Sequence, residues 1–128
     1  MGKYREEVKG WIEKDERSIE VAESLLESQY FPEFIVRSYY GMFYITRGLL
    51  VNDGITKVTK HSSVIAFLGK NYVKTGRIDK DIHKMLTEAF NLRQKSDYEL
   101  FWEADRKNAE RILKNAKIVV EKFKNFLK

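Results

Sequence analysis

Apolar side chains recur at helical spacing along almost the whole chain. Tyr4, Val8, Trp11, Ile12, Ile19, Ala22, Leu25 and Leu26 lie on one stripe, which predicts an amphipathic helix of about six turns. A turn at Gln29-Tyr30-Phe31 follows, and Pro32 suits the first position of the next helix, where a missing N–H is harmless. From Pro32 to Val51 the chain is apolar or aromatic on nearly every side. Phe34, Ile35, Met42, Ile45 and Leu49 make one face, while Tyr40 and Tyr44 point away from it beside Arg37 and Arg47. Two non-solvent faces predict a helix that is central in a bundle or lies in an oligomer interface. Asn52-Asp53-Gly54 has turn chemistry, residues 55–60 connect, and a shorter helix is predicted from about His61 to Tyr72. After Lys74-Thr75-Gly76, a fourth helix starts near Asp79, with Asp79 or Asp81 suited to its N-terminus and a stripe of Ile82, Met85, Leu86, Ala89 and Phe90. The last helix is predicted from about Glu103 to Phe126, on Ala109, Ile112, Leu113, Ala116, Val119, Val120, Phe123 and Leu127. The expected fold is all-α: an antiparallel up-and-down four-helix bundle with one additional short helix, as a single domain over residues 1–128.

Composition narrows this picture. At 128 residues the chain has the length of one domain. It has no cysteine, which excludes disulfides, thiolate nucleophiles and cysteine-based zinc sites. No apolar run approaches the ~18 residues of a membrane span, and the first residues lack the apolar core of a signal peptide. A soluble, cytoplasmic protein with no membrane partner is expected. The net charge of +5 is uneven. Residues 1–29 carry five basic and eight acidic side chains, residues 30–102 eleven and seven, residues 103–128 eight and four. The basic excess permits contact with nucleotides or RNA, and it equally fits a solvated basic face.

Three charges fall where a core should be. Helical projection puts Arg93 near the centre of the fourth apolar stripe, with Asp97 four residues on and on the same side. Asp15 falls near the centre of the first stripe. An unpaired buried charge costs several kcal/mol, so Arg93 is expected to pair with Asp97, Asp15 or both. Such a pair fits either a helix-register device or a polar site at a bundle seam. His61 opens a helix and reads equally as a cap or surface residue, and His83 reads as exposed. The stripe Arg37, Tyr40, Tyr44, Arg47 fits base stacking with phosphate contact, or a dimer interface. No phosphate loop, nucleophile elbow or metal-ligand motif occurs; no cofactor and no metal are expected.

Three segments together carry a resemblance: Arg37-Ser38-Tyr39-Tyr40-Gly41-Met42-Phe43, His61-Ser62-Ser63-Val64-Ile65 and Arg93-Gln94-Lys95-Ser96-Asp97-Tyr98. In this order, over about Tyr4 to Phe123, the chain resembles a HEPN domain, and within that superfamily the small stand-alone prokaryotic proteins. The resemblance implies a helical bundle that forms a homodimer, and a nucleotidyltransferase protein as partner in a toxin–antitoxin pair or as the subunit whose substrate it binds. Ribonuclease members carry an arginine, four to six residues, then a histidine, in a cleft across the dimer. Here Arg93 fits the arginine, but Tyr98 stands where the histidine belongs. A metal-independent ribonuclease needs a group that shuttles a proton near neutral pH, and a tyrosine with a pKa of about 10 is a poor replacement. His61 supplies imidazole only if it folds beside Arg93. The expected function is therefore a nucleotide- or RNA-binding module using Arg93, Asp97, Tyr98, His61, Arg37 and Tyr40. The alternatives are a ribonuclease toxin with Arg93, Tyr98 and His61 as catalytic candidates, or a non-catalytic structural adaptor.

Overall fold

The computed structural model describes residues 3–127. Five α-helices account for the architecture: α1 (Arg5–Glu27), α2 (Phe31–Asn52), α3 (His61–Leu68), α4 (Lys80–Tyr98) and α5 (Arg106–Phe126). No strand occurs among the described residues, and none of their helices is long and apolar enough to cross a membrane. The bundle with one short helix is as the apolar periodicity predicts. Two boundaries differ. The third helix leaves α geometry after Leu68 and continues as a π-helical turn over Gly69–Val73. The last helix starts at Arg106, because Asp105 caps it by accepting from the Asn108 N–H at 2.8 Å.

Local chemistry explains the other ends. Glu6 and Glu7 sit in the first turn of α1, where the helix dipole favours negative charge. The chain reverses after α1 at Gln29, which takes a left-handed φ of 64°. Gly54, at φ 82°, makes the turn after α2.

Contacts between helix ends set the directions. Ser96 Oγ of α4 donates to the Pro32 carbonyl of α2 at 3.3 Å, so α4 ends where α2 begins. The Arg106 guanidinium lies over the Phe31 ring, and a Cβ at Gly48 would sit 3.7 Å from Leu127, so α5 runs alongside α2 in the same sense. The order is therefore up-down-up-down. Packing is not a regular square, however. The α2 helix touches all four others, whereas α1 and α4 do not meet among the described residues. Phe34, Ile35, Tyr39, Met42, Ile45, Leu49 and Leu50 of α2 are buried at this centre, against Leu86 and Ala89 of α4 and Ile112, Ala116, Val119 and Phe123 of α5. Burial of each large apolar side chain contributes about 1.5–3 kcal/mol.

Close approach of α1 to α2 depends on glycine. A Cβ at Gly41 would lie 2.6 Å from Ile19 Cδ1, and one at Gly48 would lie 3.2 Å from Trp11 Cβ. Arg47, expected on the outer stripe with Arg37, is instead buried in this seam with its guanidinium 4.6 Å from the Trp11 ring centre. A long aliphatic stem and a planar head let arginine lie flat on an indole. His83 is also not exposed. It is half-buried, its Nε2 donates to the Ile65 carbonyl at 2.9 Å, and the missing side chain of Gly69 makes room for its ring.

Candidate functional site

Because α1 and α4 stay apart, a strip of α2 between them is left uncovered. The result is a groove of about 680 Å³ lined by Leu25 of α1, Pro32, Glu33, Val36, Arg37, Tyr40 and Tyr44 of α2, and Ser96 and Asp97 of α4. It continues along α1 past Lys14, Arg17, Ser18 and Val21. Lys14 Nζ stands 4.8 Å from the Tyr44 ring centre. Cations and aromatic faces therefore alternate along one surface.

Arg93 of α4 does not itself line this groove but contacts two residues that do, Tyr40 and Asp97. Its side chain is 17% exposed, as its place on the apolar stripe predicts. Its Nε lies 3.1 Å from Asp97 Oδ2, one helical turn on, and its NH2 group donates to Tyr40 Oη at 3.1 Å. The Nε–Asp97 contact is an ion pair without hydrogen-bond alignment. The guanidinium also faces the Tyr39 and Tyr40 rings at 5.8 and 5.6 Å. Of the two partners expected for Arg93, Asp97 is present and Asp15 is not. Asp15 is fully buried on the opposite side of α2, facing Lys124 of α5 at 3.7 Å. Helical projection gives each stripe its face but not which faces meet.

His61, from the first turn of α3, folds against the same aromatic group. Its ring stacks on Phe43 at 4.0 Å and 15°, and meets Tyr40 edge-on at 5.7 Å. Tyr39 Oη and His61 Nδ1 are 2.6 Å apart. Burial, and then the positive charge of Arg93, hold the His61 pKa below the ordinary histidine value. Burial pushes the Tyr39 phenol up, well beyond the usual tyrosine range, so it stays protonated.

Arg93, Asp97, Tyr40 and His61 thus come together, and Arg37 lines the same groove. Tyr98 does not join them. It is 76% exposed at the end of α4, next to a loop where Leu100 and Phe101 are exposed as well. Sequence reasoning missed Tyr39, Lys14 and Arg17. Tyr39 had a signal: a tyrosine on a core stripe must find a partner for its hydroxyl. Lys14 and Arg17 had only the polar spacing that most surface helices show.

No group of histidine and carboxylate side chains able to hold a metal occurs among the described residues. What the arrangement offers is hydrogen-bond donors and positive charge beside stacking surfaces.

Comparison with known proteins agrees with this architecture. The family model described as HEPN domain matches residues 8–126. Two Methanocaldococcus jannaschii proteins, each named "Putative toxin", are similar over nearly the whole chain. One is 34% identical over 98% of this chain and 84% of its own length, the other 31% identical over 97% and 91%. A Thermotoga maritima protein of the UPF0332 group is 27% identical over 91% of this chain and 87% of its own. The five-helix arrangement and a match over almost all of it make this chain a member of the HEPN domain family.

Proposed function

We propose that the chain is a nucleotide- or RNA-binding module that holds a phosphate at Arg93 in the groove between α1 and α4. The observation that carries this is a half-buried guanidinium held by Tyr40 and Asp97, two lining residues of a groove that also presents Arg37 and Tyr44. Guanidinium forks suit phosphate oxygens, and aromatic faces accept bases without regard to sequence. The names of the two Methanocaldococcus relatives support a toxin-like role. In that role the module acts in the cytoplasm with a nucleotidyltransferase protein, in a toxin–antitoxin pair or as its substrate-binding subunit. It works as a homodimer, in which the uncovered strip of α2 faces its mate; sedimentation as a monomer at tens of micromolar would remove that part of the reading. The central test is anisotropy of labelled single-stranded RNA at two salt concentrations. Affinity should fall as salt rises, and fall further in Arg93→Ala. Equal affinity in Arg93→Ala and the parent would overturn the assignment and leave the structural adaptor.

A second reading, a metal-independent ribonuclease, is favoured by one observation. His61 lies beside Tyr40 and feels the charge of Arg93, so imidazole reaches the site from another helix although Tyr98 ends the α4 motif. Cleavage of mixed RNA in excess chelator, lost in both Arg93→Ala and His61→Ala, would promote it over binding alone. Cleavage lost in Tyr98→Phe only would place the chemistry on that tyrosine.

A further inference from the structure

His61 has two ring nitrogens with different surroundings. Nδ1 is 2.6 Å from Tyr39 Oη. Nε2 makes no hydrogen bond to a described residue, yet it is not among the buried unpartnered atoms, so it opens to solvent. Which nitrogen carries the proton follows from the tyrosine. Tyr39 is fully buried, and among the described residues its hydroxyl has no other hydrogen-bond partner. If Nδ1–H donated to Tyr39, the phenolic proton would have no acceptor in an apolar setting, which is costly. If Tyr39 donates to Nδ1, both groups are satisfied, and the imidazole proton sits on Nε2. The imidazolium form is disfavoured for the same reason, since its Nδ1–H would compete with the phenolic O–H for one contact.

Resting on the reading of the Arg93 groove as a phosphate site, we infer that Tyr39 fixes His61 with its proton on Nε2, and that this Nε2–H is a second hydrogen-bond donor, beside Arg93, to a bound phosphate oxygen. Tyr39 is a positioning residue; it acts on the ligand only through His61. The Phe43 ring, stacked at 4.0 Å, holds the imidazole plane. The protonatable or charged groups that face the ring are Tyr39 and Tyr40 of α2 and Arg93 of α4. In this tautomer Nε2 has no lone pair in the ring plane to take a proton. His61 therefore binds an anion in the ground state and is not set up as a general base from that nitrogen. Acting as a base would need Tyr39 to give up its donor role.

Two measurements on the whole chain test this. Long-range 1H–15N spectra at pH 7.5 report the tautomer, with the His61 signals identified by their loss in His61→Gln. A pyrrole-type Nε2 and a hydrogen-bonded pyridine-type Nδ1, the latter shifting in Tyr39→Phe, are expected. A proton on Nδ1, or no change in Tyr39→Phe, would overturn the inference without touching the Arg93 site. The second measurement is titration with inorganic pyrophosphate. His61→Phe keeps the stacked ring but has no donor, and should bind about tenfold more weakly. His61→Gln places an amide N–H near the Nε2 position and should recover part of the loss. Weak binding by both variants alike would mean that packing, not the donor, matters. If both bind like the parent while Arg93→Ala does not, His61 is no ligand donor and the Arg93 reading stands. If Arg93→Ala binds like the parent, the groove reading itself falls.

Discussion

Arg93 and Asp15 are both ionic side chains on core-facing stripes, and their surroundings differ in kind. Arg93 lies at an open seam. Its partner Asp97 comes from its own helix, Tyr40 accepts its NH2 group, and aromatic faces cover it. Asp15 has no exposed surface of its own and sits at the base of a smaller cleft between α1 and α5, beside Glu20, Val120 and Lys124, with neither carboxylate oxygen hydrogen-bonded and Lys124 at 3.7 Å. Lys124 is itself shared with Glu16 at 2.9 Å. Burial therefore dominates at Asp15 and raises its pKa to about 7, Lys124 opposing that only in part. Arginine tolerates a seam because its charge is spread over a plane with five donors, whereas a buried carboxylate whose one nearby cation is shared with another carboxylate takes up a proton instead. One region keeps its charge; the other suppresses it.

The largest expected difference lies at Asp15. A carboxyl whose folded pKa is raised contributes stability below its unfolded value, and loses it as pH rises through the folded value. Folding stability should thus fall between about pH 4 and pH 7, where the unfolded chain gives up the Asp15 proton and the folded chain keeps it. Asp15→Asn should flatten that slope and, at pH 8, exceed the parent by about 1–3 kcal/mol in urea unfolding. A less stable Asn variant at pH 8 would mean that the carboxylate is well solvated or paired, and the contrast with Arg93 would collapse.

Lys124→Met should come next. Removing the nearby cation should cost about 1–3 kcal/mol at pH 8 and much less at pH 5, where Asp15 is protonated. A pH-independent loss in the same unfolding experiment would instead assign the effect to packing of the lysine stem.

Arg93→Ala should behave in the opposite way. Its ion pair is partly exposed on the Asp97 side, so thermal unfolding should show a change of less than about 1 kcal/mol, while pyrophosphate affinity drops about tenfold or more. A large stability loss with unchanged affinity would make Arg93 a register device like any buried pair.

The smallest effect concerns His61, and its pH sign is the reverse of Asp15. Its folded pKa is lowered, by burial first and by Arg93 second. As pH falls below the ordinary histidine range the unfolded chain gains a proton before the folded chain does, so stability declines on the acid side. His61→Phe should remove this acid limb in urea titrations and leave the Asp15 slope in place.

Much of the architecture was legible in the residues. Three- and four-residue apolar spacing located all five helices, since only one face of each can leave water. The two non-solvent faces of the Pro32–Val51 segment predicted its central place, and α2 indeed touches every other helix. Arg93 and Asp97 were readable as a pair because four residues on one helix make neighbours whatever surrounds them. The π-helical turn at Gly69–Val73 was not legible, because apolar spacing over so few residues does not distinguish it from a continuing α-helix.

What the sequence determined by itself is what periodicity and short range control: the helices, their buried stripes, and the charges that would be awkward there. Only the tertiary structure decided which stripes face each other. It sent Asp15 to Lys124 rather than Arg93, turned Arg47 onto Trp11, and brought His61 to Tyr39, twenty-two positions away in the chain. The physical reason is that a helix presents a face in one dimension of sequence, while its partners are chosen by the close packing of five helices at once, here through Gly41 and Gly48, which let α1 settle on α2 and leave the groove beside α4 open.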